Sequence, residues 1–154
     1  MAAKGDCVGA MDRRMKRKGQ EGQALVEFAL VIPVLLLLLL GVIEFGLLLY
    51  NQQVITNASR EGARFGIVAQ MPRRSDDSIR IVVANYAKNH LITFGNAWTP
   101  DEHNILVRHP DGQTFSKDLT VRVSFQYQFL VLPNFLGTLS GIQELRAEST
   151  MKYE

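Results

Sequence analysis

Two carboxylates stand where carboxylates are costly. Glu27 and Glu44 are the only acids between Ala24 and Tyr50, and that stretch contains no Lys or Arg. An acid at the centre of a bilayer costs a few kcal/mol and less near the interface. Each therefore needs a compensating cation, a helix terminus or headgroup water. Glu27 opens the apolar stretch, where the partial positive charge of a helix N-terminus would favour it at headgroup level. Glu44 lies 17 residues further on, about 25 Å along a helix. It could reach the outer headgroups or meet a specific partner inside an assembly.

Other groups that could do chemistry are sparse. His90, His103 and His109 match no usual metal-ligand spacing. His90 falls on the apolar face of a helix, and the other two flank a strand. Asp76 and Asp77 read as a helix start rather than an acid pair, and Asp101-Glu102 as turn chemistry. Cys7 is the single cysteine, which excludes a disulfide framework within one chain and a multi-cysteine zinc site. There is no nucleophile elbow and no phosphate-cradling loop. The residues call for no enzyme activity, no cofactor and no metal.

The elements that must position the two acids follow from segregated charge and hydropathy. Residues 1–22 carry six basic and three acidic side chains, a net +3, while the whole chain of 154 residues is +2. Ala29 to Ile43 is uninterrupted apolar sequence including Leu35 through Leu40, about 22 Å of helix, and it reaches spanning length when extended to Tyr50. Six consecutive leucines leave no polar face for a soluble helix. The basic flank keeps residues 1–22 in the cytoplasm and sends the C-terminal part outward. Orientation and attraction to anionic lipid account for the basic residues without nucleic acid. Leu47-Leu48-Leu49-Tyr50-Asn51 offers no small-residue signal-peptidase site, so a retained anchor is expected. Pro33 implies a kink or a local loss of hydrogen bonding in it.

Beyond Tyr50 the helix is expected to run to about Val68, with Asn51, Gln52, Gln53 and Asn57 marking its exit into water. Ala58, Gly62 and Gly66 recur every four residues, a smooth stripe that could pack the outer domain or another subunit. Met71-Pro72 breaks the helix and Ser75 caps a second one. That helix has Ile79, Val82, Val83, Tyr86, Ala87, His90 and Leu91 on one face, with a stop near Gly95. Period-two alternation then predicts strands over His103–His109, Leu119–Val131 and Leu145–Tyr153, the first two joined by a turn at Pro110-Asp111-Gly112. The expected fold is α+β. A long N-terminal transmembrane helix continues into a small outer domain with a second helix and a three-stranded antiparallel sheet. Its parts are a basic cytoplasmic leader at 1–22, a transmembrane helix at 23–50 and an extracytoplasmic domain at 51–154.

One string ties Glu27 to a known pattern. Gly22-Gln23-Ala24-Leu25-Val26-Glu27-Phe28 follows a basic leader and heads a leucine-rich helix. Gly41-Val42-Ile43-Glu44-Phe45-Gly46 and Thr56-Asn57-Ala58-Ser59-Arg60-Glu61-Gly62-Ala63-Arg64-Phe65 continue it. These residues resemble a type IV prepilin processing site and, more closely, the TadE-like family of tight-adherence (Tad, or Flp) pilus assembly proteins. The resemblance is dense to about residue 68, sparse from 70 to 117 and moderate after that, ending in Ala147-Glu148-Ser149-Thr150-Met151-Lys152-Tyr153-Glu154.

The resemblance implies a pilin-like outer domain and a minor pseudopilin of the bacterial inner membrane, single pass, with its C-terminal domain periplasmic or extracellular. It implies cleavage by a prepilin peptidase after Gly22, leaving Gln23 as the new N-terminus and Glu27 as its fifth residue. Glycine at the cut lets the peptidase approach an extended backbone. In the pilin scheme the carboxylate of Glu27 offsets the new α-amino group of a neighbouring subunit, each charge reducing the cost of burying the other. Phe28 stands where the major Flp pilin pattern has Tyr, which fits the pseudopilin branch. Implied partners are the peptidase, other Tad pseudopilins, the Flp pilin, membrane lipid and an inner-membrane assembly platform driven by a separate ATPase. The alternative is an uncleaved, signal-anchored periplasmic domain that binds a ligand or serves as a scaffold.

Overall fold

The fold was taken from a computed structural model, which describes residues 6–94, 98–129 and 143–154, with side chains from Gly22 onward. Helix α1 runs Asp6–Ile67, helix α2 Asp76–His90, and strands β1 Ile105–Arg108, β2 Asp118–Tyr127 and β3 Gln143–Lys152 form an antiparallel sheet in the order β1-β2-β3. This is the α+β arrangement expected from the sequence. The helix stop near Gly95 and the continuation of the middle strand through Leu130 and Val131 fall outside the described residues. The chain divides into two compact units, Met1–Val42 and Ile43–Glu154.

The first unit is the leading part of α1. From Gly22 its side chains are exposed or half-buried, Leu25, Leu30 and Val34 among the most open. The helix continues through Pro33. Gly22–Ile67 is the one stretch among the described residues long and apolar enough to cross a membrane.

In the second unit a helical face meets a sheet face. Val54, Ile55, Ala58 and Ala63 of α1 and Ile79, Val83 and Ala87 of α2 are buried with Ile105 and Val107 of β1 and Leu119, Val121, Val123, Phe125 and Tyr127 of β2. Leu145 and Ala147 of β3 complete the inner face. Fully burying one such aliphatic side chain contributes about 1.5–3 kcal/mol, so this face holds the unit together. The registers Val123↔Ala147 and Ile105↔Val123 align the apolar positions across all three strands. The alternate residues make the outer face polar, with Thr120 paired to Thr150 at 3.0 Å and Arg122 to Glu148 at 2.7 Å. A one-residue slip would exchange the two faces, so the alternation fixes the register.

Local signals set the ends of these elements. Ser75 caps α2, its hydroxyl accepting from the Ser78 N–H, with Asp76 and Asp77 in the first turn. The Asp101 carboxylate accepts from the backbone N–H groups of His103 and Asn104, an Asx turn leading into β1. At the turn after β1, Gly112 has φ +94°, a left-handed conformation that glycine takes at little cost.

Candidate functional site: the apolar helix and its acids

The sequence-identified string lies along α1. Gly22, Gln23, Glu27 and Phe28 are all exposed there. A Cβ built on Gly22 would meet nothing within 4 Å. The helical spacing projects Gln23 and Glu27 to one side, one turn apart. Among the described residues these three groups, a carboxylate, an apolar ring and a small residue, lie open on the helix surface.

Glu44 has a different setting. It is 4% exposed and lies within the second unit, not on an open face of the helix. Its backbone carbonyl accepts a long 3.5 Å hydrogen bond from the Tyr127 hydroxyl. Burial, and secondarily the Glu44 carboxylate, push the Tyr127 phenol above its ordinary range.

Ala58, Gly62 and Gly66 are buried as well. A Cβ on Gly62 would run into Val83 Cγ2, and one on Gly66 would run into Leu119 and come within 2.7 Å of Ile79 Cδ1. The smooth stripe is filled by the protein's own second helix and middle strand.

Two polar residues on this stripe escape a reading based on hydropathy. Asn51 sits at 0% exposure, where the sequence pointed to an exit into water. Its carboxamide donates to Ile92 O and accepts from Ile92 N, both at 3.0 Å. Ser59 is equally buried, donating to Thr56 O at 2.8 Å and lying 2.8 Å from the Ser149 hydroxyl. The available signal was periodicity: 44, 48, 51, 55, 59, 62 and 66 follow one helical face.

The histidines separate. His90 is exposed, stacked on Tyr86 with ring centroids 4.6 Å apart. His103 is exposed in the turn before β1. His109 joins Asp76 at 2.8 Å and Tyr153 at 2.7 Å. Above the Tyr153 ring, at 4.8 Å, lies the guanidinium of Arg73, which also donates to Glu154 O. This cluster fastens β1, α2 and the last residues of the chain to one another. Among the described residues no three His, Cys, Asp or Glu side chains gather in a way that could hold a metal.

The stretch of α1 that carries Glu27 and Glu44 also matches a known family. Residues 22–64 match the family described as TadE-like protein, a match that begins at Gly22 and takes in Glu27, Glu44, Ala58 and Gly62. The chain is TadE-like across that stretch. No curated protein and no solved structure matches it. The match takes in 43 of the 154 residues and supports an association with the Tad pilus machinery. Together with the one spanning-length apolar helix among the described residues, the TadE-like match points to a membrane anchor.

Proposed function

We propose that this TadE-like chain is a minor pseudopilin that takes part in assembling a Tad-type adhesion pilus. Residues 1–22 lie in the cytoplasm, α1 crosses the inner membrane once, and the outer unit faces the periplasm or the exterior. A prepilin peptidase cuts after Gly22, and the new amine at Gln23 and the carboxylate at Glu27 serve assembly. Other Tad pseudopilins and the Flp pilin are its neighbours, and a separate ATPase drives the inner-membrane platform that extracts it.

The observation that carries this reading is the family match starting at Gly22 on a helix whose Gln23, Glu27 and Phe28 are exposed. An exposed acid in apolar sequence is costly in lipid, and a cation on a neighbouring subunit offsets that cost. Trading lipid for other pilin helices is nearly neutral in hydrophobic terms, so close packing and charge compensation at Glu27 decide the exchange.

Intact-mass measurement or N-terminal sequencing of the protein from cells tests the reading. A mature start at Gln23 supports it. A start at Met1, or one beyond Tyr50, overturns it in favour of a plain anchored domain.

A further inference from the structure

The apolar segment and the folded outer unit overlap. By sequence the apolar run continues to Tyr50, whereas the outer unit begins at Ile43. The two helical turns they share, about 10 Å of rise, present two faces. Leu47 and Leu48 turn toward the core and Glu44 is buried. Phe45, Leu49 and Tyr50 remain 60%, 48% and 44% exposed.

The next residue, Asn51, holds the backbone of Ile92 by its two 3.0 Å hydrogen bonds. The segment after α2 is thereby fixed level with the end of the apolar run. There Ile92 and Phe94 stay 37% and 40% exposed, and Phe94 shares a shallow hollow with Phe125 and Tyr127. Further along α1 the open positions become polar, at Gln53, Asn57 and Arg60. Exposed apolar side chains from two elements therefore form a collar at one end of the outer unit. Aromatic side chains suit the boundary where an apolar helix leaves the hydrocarbon.

We infer that the collar formed by Phe45, Leu49, Tyr50, Ile92 and Phe94 seats the outer unit in the headgroup layer of the membrane. Its partner is the lipid surface. The anchor itself delivers the collar there, since the lipid-spanning sequence runs directly into it, and no second macromolecule has to be encountered. This inference rests on the membrane-anchor part of the proposed function and is independent of cleavage at Gly22.

The test uses the full chain with Cys7→Ser, a single Phe94→Cys carrying a bimane fluorophore, and vesicles of phosphatidylethanolamine and phosphatidylglycerol containing headgroup-level nitroxide lipid. Phe115→Cys is the reference. Phe115 is 76% exposed and adjoins Ser116, whose N–H donates to Tyr153 O at the far end of the unit. Ile92→Cys repeats the measurement at a second collar position. Bimane at 94 and 92 is expected to be blue-shifted and quenched severalfold more than at 115. Equal quenching at 94, 92 and 115 in vesicles that carry the protein on flotation overturns the collar and leaves the anchor standing. A blue shift that grows with protein-to-lipid ratio and is not quenched also overturns it, by pointing to contact between copies. Failure of the protein to float with vesicles removes the anchor and the collar together.

Discussion

The hydroxyl of Tyr153 lies 2.7 Å from His109 Nδ1, while His109 Nε2 lies 2.8 Å from Asp76. The carboxylate can only accept, so Nε2 donates to Asp76 and Nδ1 faces the tyrosine hydroxyl. Through this chain the residue before the C-terminus is tied to β1 and to the first turn of α2. Burial, then the Asp76 carboxylate, push the Tyr153 phenol above its ordinary value, and Arg73 partly opposes them.

A pH dependence follows from that direction. The folded state keeps the phenol proton to higher pH than the unfolded chain does. Its stabilising contribution is complete below about pH 10 and is lost as pH rises through the raised value. Unfolding of the full chain in detergent, followed from pH 8 to pH 11, should show a falling midpoint over the upper part of that range. Tyr153→Phe should be less stable at pH 8 by about 1 kcal/mol, for one lost hydrogen bond, and should decline less steeply. Parallel curves would remove Tyr153 as the source.

Asn51 should be worth more than its polarity suggests. Asn51→Leu leaves the N–H and C=O of Ile92 without their partner, at about 1–3 kcal/mol for each such group. A loss of about 2–4 kcal/mol in unfolding free energy is expected, together with faster hydrogen exchange at the Ile92 amide. Gln53→Ala, on the open face of the same helix, should change stability by less than about 0.5 kcal/mol. Similar behaviour of the two variants would contradict the clasp.

The glycines of α1 should divide into two classes. Gly66→Ala and Gly62→Ala press a methyl group onto Leu119, Ile79 or Val83 and should cost about 1–3 kcal/mol. At Gly46 an added Cβ meets nothing within 4 Å, so Gly46→Ala should be neutral or gain up to about 1 kcal/mol from helix propensity. Denaturant midpoints of the three variants check the ordering.

Maturation and assembly should come apart genetically. Gly22→Leu should leave the leader attached, as read by intact mass, and normal cleavage would refute the site. Glu27→Ala should be cut normally yet lower the number of pili counted by electron microscopy. Unchanged piliation would reduce Glu27 to a headgroup residue. Both positions are exposed and lie in the first unit, so neither variant should alter unfolding of the outer unit.

Much of the architecture was legible because each element carries its own periodicity. Ser75 with Asp76 and Asp77 announced α2, and alternation from Leu119 through Tyr127 announced both the middle strand and its inner face. The first strand is shorter than expected, Ile105–Arg108, because the Asp101 side chain holds His103 and Asn104 in a turn. Asn51 and Ser59 fall on the buried face by helical spacing, but hydropathy did not mark them as core residues. Hydropathy scores them as polar, and only a partner distant in sequence, Ile92 or Ser149, makes their burial tolerable. His109 and Tyr153 are likewise 44 residues apart, beyond the reach of any local pattern.

By itself the sequence determined the apolar helix, the position of Glu27 at its head, the α+β order of elements and the resemblance on which the role proposed for Glu27 rests. Those features are local: they depend on the order of side chains along one helix or strand. Tertiary structure alone decided that Glu44 is buried in the second unit, that the Ala58-Gly62-Gly66 stripe is filled from within, and that Asn51 fastens Ile92. Each depends on which distant surface arrives at the helix. The cost of burying a polar group, or of adding a methyl to a glycine, is set by the neighbour it meets.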